Sequence, residues 1–231
     1  MSKVVRALAL CILVSPPLAA QVGHDPANSP YRPILVRTSL SAVANYIWGS
    51  SGKLGVGPSD GPGAMLRFEM RLTGPTDLFA SVGWSNLERM VANPDAPEDE
   101  RISGPITQGV LFTEAGILIL LTGDKTWNRL APYVGANIGL AFGEGSPQDS
   151  SDYAFSAKFV SGPLVGVRIY SRGALSVRVE GRLQFWKLSY PTSYFLAGDA
   201  DEPLLNPVVN SDSEWTTHPT LMIGLGYAFR F

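Results

Sequence analysis

Three residues near the C-terminal end of the sequence belong to the types that act together in hydrolysis: Ser213, Glu214 and His218. A serine hydroxyl, a histidine that takes its proton and a carboxylate that orients the histidine can carry out nucleophilic acyl transfer. Their spacing matches no catalytic motif, and an isolated polar cluster of this kind arises readily by chance. We therefore expect an incidental polar group, no enzyme activity, no metal site and no cofactor.

A second group of charged residues recurs at every second position of the chain. Between residues 174 and 188, Arg178, Glu180 and Arg182 alternate with bulky apolar residues, and the segment 63–72 repeats the pattern. Strict alternation indicates β-strands that have one polar and one apolar face.

Eight segments have this strand character, and Gly, Pro, Asn and Asp residues separate them. Since no stretch outside the N-terminal region approaches the length of an apolar membrane helix, any membrane crossing must be made by strands. We predict strands at residues 33–48, 63–72, 78–88, 106–121, 131–142, 158–170, 174–188 and 217–231.

The connections between these strands alternate between short and long. If consecutive strands run up and down, all short links lie at one end of the sheet and all long links at the other. The short links are 73–77, 122–130 and 171–173, and the long ones are 49–62, 91–105, 143–157 and 189–216. Short turns at one end and long loops at the other are typical of bacterial outer-membrane barrels.

The first twenty residues have the composition of a secretory signal peptide. Lys3 and Arg6 precede an apolar stretch, and the small residues Ala19 and Ala20 follow it. Their removal takes two of the 18 Lys and Arg residues and none of the 20 Asp and Glu residues, which leaves a net charge of −4. An exported acidic chain is a poor candidate for nucleic-acid binding.

The alternation by itself also fits a soluble barrel whose apolar face is buried. Small residues on the polar face favour the opposite arrangement, with a crowded polar interior and an apolar exterior in lipid. Aromatic residues near the strand ends are typical of the membrane interface. They are Trp48, Trp84, Trp127, Trp186 and Trp215, with Tyr31, Tyr46, Tyr170 and Tyr190.

The final strand carries a specific pattern. Its apolar residues occupy alternate positions up to the last one: Ile223, Leu225, Tyr227, Phe229 and Phe231. This pattern resembles the C-terminal signature of Gram-negative outer-membrane β-barrel proteins, and the resemblance implies recognition by the barrel-assembly machinery. The chain as a whole looks like a small OmpA/OmpX-type barrel. Two features depart from it: the link 122–130 is long for a periplasmic turn, and Trp186 falls on the inward parity.

We therefore predict an all-β fold, an eight-stranded antiparallel transmembrane β-barrel built as an up-and-down meander in the outer membrane. Residues 1–20 are the predicted signal peptide, 21–32 an N-terminal periplasmic segment and 33–231 the transmembrane β-barrel domain. Both termini are expected in the periplasm, and the long loops outside the cell.

The inward positions collect arginines and glutamates, for which two roles are open. One is a network of ion pairs that fills a lumen only wide enough for its own side chains, and the other is a positive constriction that selects anions. We favour the network and expect water or an anion to shield the surplus positive charge. The members are Arg37, Arg67, Glu69, Arg71, Glu114, Arg168, Arg178, Glu180, Arg182 and Arg230.

The long loops hold 13 of the 20 acidic residues, which either keep the loops solvated or bind a partner. The expected partners are outer-membrane lipid, lipopolysaccharide and an unidentified extracellular molecule. The predicted function is a structural or loop-mediated role at the cell envelope. A narrow channel or anion pore is the alternative, and a lipid-modifying enzyme built on His218 is the third possibility.

Overall fold

The strands of the structure follow the alternation of the sequence. A computed structural model of the chain describes residues 29–143, 153–196 and 202–229. The predicted signal peptide, residues 21–28, Arg230 and Phe231 lie outside the described residues. The strands are β1 (Tyr31–Pro33), β2 (Thr38–Ile47), β3 (Gly61–Thr73), β4 (Thr76–Ala92), β5 (Ile102–Leu120), β6 (Lys125–Trp127), β7 (Leu130–Gly143), β8 (Ala157–Tyr170), β9 (Leu175–Ser189) and β10 (Ser213–Phe229).

The eight long strands form a closed antiparallel ring. Each pairs with the next long strand along the chain, and β10 returns to pair with β2 from Thr220 opposite Ile47 to Phe229 opposite Thr38. Closure satisfies the backbone of every strand by pairing on both sides, as a sheet in hydrocarbon requires. The predicted fold class, an all-β eight-stranded meander, is confirmed.

The two faces of the wall have opposite chemistry. Leu66, Ile223 and Leu225 on the outer face each keep more than half of their surface exposed, whereas Arg67 and Arg178 on the inner face are buried. Since the side chains of a strand alternate between its faces, the apolar rows lie outside and the charged rows inside. Among the described residues, no helix is both long and apolar enough to cross a bilayer.

The connections separate into two ends, here called the turn end and the loop end. The turn end holds the links after β3, β5 and β8, and the loop end holds the links after β2, β4, β7 and β9. The loops are partly ordered: a short 3-10 helix, Thr192–Phe195, lies in the last one.

Two short strands stand outside the ring, and this differs from the sequence prediction. The predicted strand 33–48 is divided, because Pro33 ends β1 while β2 begins at Thr38. β1 pairs with β6, which lies in the long link 122–130, and Tyr31 is opposite Trp127. The link is long because it contributes a strand to this extra pair.

Candidate functional site: the barrel interior

Glu69 is the centre of a buried group of charged side chains. Arg178 binds both of its carboxylate oxygens, and Arg168 donates to one of them at 2.8 Å. Arg67 approaches the other oxygen at 3.3 Å, and the Ser39 hydroxyl donates at 3.3 Å. Three guanidinium groups from different strands therefore share one carboxylate.

A second carboxylate, Glu180, extends this group toward the loop end of the barrel. It accepts a hydrogen bond from Arg67 at 2.8 Å and one from the Tyr133 hydroxyl at 2.7 Å. Arg182 bridges Glu180 to Glu114, which also accepts from Gln184 at 2.6 Å. The chain of hydrogen bonds thus links β3, β5, β7 and β9 across the lumen.

Asp77 is a member of the network that the sequence analysis missed. It accepts from Arg71 at 2.9 Å and from Arg168 at 3.3 Å, and it is buried. The predicted strand 78–88 started two residues too late and placed Asp77 in the turn, whereas β4 begins at Thr76. Its even spacing from Phe79 and Ser81, which also face inward, was the available signal.

The network is close to electrical balance. Its arginines are Arg67, Arg71, Arg168, Arg178 and Arg182, and its acids are Glu69, Asp77, Glu114 and Glu180. Among these described members the surplus is one positive charge, and not the four that the sequence suggested. Arg37 does not join them, because it is exposed ahead of β2, and Arg230 lies outside the described residues.

Small inward residues make room for these long side chains. A methyl group on Gly166 would come within 2.6 Å of the Tyr133 ring, and one on Gly139 within 3.0 Å of the Glu114 side chain. Phe79 lies 3.6 Å below the Arg67 guanidinium, measured to the ring centroid, and gives that cation an aromatic face as well as its carboxylates. The interior is therefore packed with side chains at this level.

An apolar cluster, here called the plug, fills the loop end of the lumen. It combines inward residues at the tops of the strands with residues from the loops, and its described members are buried. They are Ile47, Val56, Leu87, Ala92, Val110, Phe112, Ala141, Tyr153, Phe155, Val160, Trp186, Leu188, Tyr190, Tyr194 and Leu205.

Trp186 and His218 form the base of the plug. Their rings are stacked with centroids 3.4 Å apart and planes 13° apart, and both side chains are fully buried. Trp186 therefore faces inward, as its parity indicated, and its assignment to the interfacial aromatic residues was wrong. Trp48, Trp127 and Trp215 are on the surface, where that assignment placed them.

The three residues with catalytic chemistry do not assemble. The Ser213 hydroxyl donates to Asp212 at 3.1 Å, while the nearest polar partner of His218 is the Thr216 hydroxyl at 2.8 Å. Five residues along a strand separate Ser213 from His218, a rise of about 16 Å. Glu214 accepts instead from the Tyr190 hydroxyl and from the Lys53 amide. This arrangement leaves the Ser213 hydroxyl and the Glu214 carboxylate without a hydrogen bond to His218 among the described contacts.

The described residues of this region also form no metal site. Among residues 29–143, 153–196 and 202–229, no group of three or more His, Cys, Asp or Glu side chains could hold a metal ion. The acids of the interior are already engaged by arginines.

No protein-family model matches the chain, and no curated protein matches it. Solved structures are similar to it. Neisserial surface protein A (NspA) is 16% identical with a TM-score of 0.52, over 83% of this chain and 97% of that one. The outer membrane protein OprG from Pseudomonas aeruginosa is 10% identical with a TM-score of 0.51, over 88% of this chain and 100% of that one.

These two likenesses bear on the fold of the chain. The chain has the fold of an eight-stranded β-barrel, as these two outer-membrane proteins have. The predicted resemblance is confirmed, and the apolar exterior agrees with the predicted outer-membrane location. The outer membrane enzyme PagL is also similar, 14% identical over 80% of this chain and 97% of that one, with a TM-score of 0.40. A likeness at this TM-score supports no conclusion about fold or function.

The described residues of the predicted assembly signature lie on the outer face of the barrel. Ile223, Leu225 and Tyr227 are exposed on β10, and Phe229 is half-buried at its end. Phe231 lies outside the described residues. Their recognition by an assembly machinery stays a prediction.

Proposed function

We propose that this barrel is a structural protein of the outer membrane that presents its loops to the outside and conducts no solute. The turn end faces the periplasm in this proposal. The observation that supports this proposal is the filled lumen. The ion-pair network fills the half nearer the turn end, and the plug fills the loop end. An eight-stranded barrel has only enough internal space for its own side chains.

The ties between loops support a presenting role. The Lys53 amide in the first loop donates to the Tyr190 hydroxyl and to Glu214, and the Lys53 ammonium donates to Asn210 at 2.7 Å. The first loop is also held to the end of β4, because the Met90 amide donates to the Gly55 carbonyl at 2.8 Å. Loops held in this way offer a defined surface to a partner.

The partners proposed for the loops are lipopolysaccharide and an extracellular molecule. Asp95, Glu98, Asp99 and Glu100 of the second loop are all exposed, so divalent cations could bridge them to lipid phosphates. The alternative role of these four acidic residues is to keep the second loop solvated. The barrel-assembly machinery is proposed as a transient partner of β10 during insertion.

Single-channel recording on the refolded protein in a planar bilayer tests the proposal. We expect no conductance steps from the parent. Stable steps, with or without anion selectivity, would instead support the narrow pore. A matched variant, Arg67→Ala with Glu180→Ala, removes one ion pair from the network and shows whether the recording detects a loosened lumen.

A further inference from the structure

The strand pair β1 and β6 is not needed to close the barrel. The ring already passes directly from β5 to β7, and the pair lies beside it at the turn end. The Ile34 amide donates to the Asp124 carbonyl at 2.8 Å, and the Thr126 hydroxyl donates to the Arg32 carbonyl at 3.4 Å. We call this two-stranded element the ribbon.

One face of the ribbon continues the outer wall of the barrel. Trp127 pairs with Leu130 of β7, and Leu130 pairs with the exposed Ile169 of β8. Residues directly opposite each other share a face of the sheet, so the outward face carries Trp127 and its partner Tyr31. Both rings are about half exposed, at 48% and 49%.

Positive charge surrounds this aromatic face. Lys125 lies on the same face as Trp127, two residues away, and Arg129 occupies the tight turn that follows it. Asn128 and Arg129 both have positive φ values, 48° and 69°, which non-glycine residues rarely adopt. The Tyr170 amide donates to the Arg129 carbonyl at 2.9 Å and fixes this turn beside the one that carries Arg172.

The turn end as a whole is basic. Its exposed charged residues in the described parts of the chain are Arg32, Arg37, Asp124, Lys125, Arg129 and Arg172. Asp124 alone among them is acidic, whereas the second loop at the opposite end exposes an acidic run. Among the described residues, basic groups at the turn end therefore contrast with the acidic second loop at the loop end.

We propose that the ribbon binds the phosphate groups of anionic phospholipids in the membrane leaflet at the turn end. Tyr31 and Trp127 lie at the level of the headgroups, and Lys125, Arg129 and Arg172 contact the phosphates. Amphipathic aromatic rings are favoured at this depth, and cations within reach of an anionic membrane surface are attracted to it.

A lipid is the occupant that the geometry favours. The aromatic face is continuous with the wall that hydrocarbon covers, so the same molecules that cover Ile169 extend to Trp127. A soluble anionic partner would have to displace those lipids first. The proposal rests on the membrane position of the barrel, but not on whether the lumen conducts.

Lipid selectivity of the refolded full chain is the test. Spin-labelled phosphatidylglycerol and phosphatidylcholine are compared by the immobilised fraction in the electron paramagnetic resonance spectrum. One cation near an anionic surface gives about a fivefold preference. We expect the parent to prefer phosphatidylglycerol several-fold, and the triple variant Lys125→Gln, Arg129→Asn, Arg172→Gln to lose most of this preference. Equal selectivity in parent and variant would overturn the proposal.

A matched variant controls for net charge. Lys53→Gln, Lys158→Gln, Lys187→Gln removes the same charge from the loop end, and it is expected to keep the preference due to the ribbon. An equal loss in both triples would overturn the proposal. Heat-modifiable gel mobility verifies that each variant has folded.

The depth of Trp127 gives an independent readout. The difference in fluorescence between the parent and Trp127→Phe isolates the emission of this one indole. We expect it to be quenched most strongly by lipids brominated near the headgroup. Emission typical of a water-exposed indole, unaffected by brominated lipid, would place the ribbon away from the membrane and overturn the proposal.

Discussion

The guanidinium of Arg178 binds both carboxylate oxygens of Glu69 across the middle of the barrel. Arg168 of β8 and Arg67 of β3, the strand that carries Glu69, approach the same carboxylate at 2.8 and 3.3 Å. Planar pairing with two parallel hydrogen bonds is the strongest arrangement that arginine makes with a carboxylate. Glu69 therefore holds three buried cations in place, and the consequences of its removal can be predicted.

Replacing Glu69 with Gln should strongly destabilise the barrel. The variant keeps the shape of the side chain but removes the negative charge that pairs with Arg178. Breaking a buried pair by removing one partner costs about 3 to 5 kcal/mol. Urea unfolding in lipid vesicles, followed by tryptophan fluorescence, measures the loss.

The matched control is Glu98→Gln in the exposed second loop, which should change the unfolding free energy by no more than about 0.5 kcal/mol. A Glu69→Gln barrel as stable as this control would mean that the network contributes little.

Replacing Trp186 with Ala should also destabilise the protein. The indole is fully buried between His218, Phe112 and Phe155, so its truncation leaves a cavity in the plug. Truncation of a large buried aromatic residue costs about 3 to 5 kcal/mol. The comparison is Trp48→Ala on the exposed outer surface, and similar unfolding free energies for the two variants would contradict the prediction.

The phenol of Tyr190 should lose its proton at a higher pH than an ordinary tyrosine. Burial and the hydrogen bond to Glu214 raise the pKa of Tyr190 above its usual value. The neutral phenol therefore stabilises the folded state below pH of about 10, the usual tyrosine pKa, and this contribution disappears as the pH rises through the folded pKa. The difference in phenolate absorbance between the parent and Tyr190→Phe should show one tyrosine that titrates above the usual value.

Tyr190→Phe should also loosen the tie between the first and last loops. The lost hydrogen bonds contribute about 1 kcal/mol at this partly exposed position. We expect faster trypsin cleavage after Lys53 at pH 8, where the phenol of the parent is neutral. Cleavage at the parent rate would show that the tie does not limit loop opening.

His218→Ala should leave the lipid A of the producing cells unchanged. His218 stacks on Trp186 and contacts Thr216, and Ser213 lies on the opposite face of β10. Mass spectrometry of lipid A from cells that produce the parent, the variant or neither protein provides the comparison. A lipid A species present with the parent and absent with His218→Ala would revive the enzymatic hypothesis.

The fold was predictable because each long strand follows one period. A lipid-facing wall requires apolar residues at every second position, so the alternation around Arg178 or Arg67 determines both the strand and its faces. The strand ends were less predictable. β5 begins at Ile102, four residues before its predicted start, because it continues to pair with β4 as far as Ala92.

The interior was only partly predictable. The arginines and glutamates were found through parity, but pairing partners depend on which strands face each other across the lumen, and alternation within a single strand carries no such information. The plug was missed for a related reason. Val56, Tyr194 and Leu205 come from loops without any period, and only the folded chain brings them to Trp186.

The pairing of β10 with β2 has a consequence for the order of events during export. The two strands at this seam are separated by nearly the whole length of the chain, so the first strand of the ring cannot find its second neighbour until the last has been secreted. A polypeptide released early by the ribosome would keep β2 and β9 as two bare edges. Such edges invite mispairing with other nascent proteins in the periplasm.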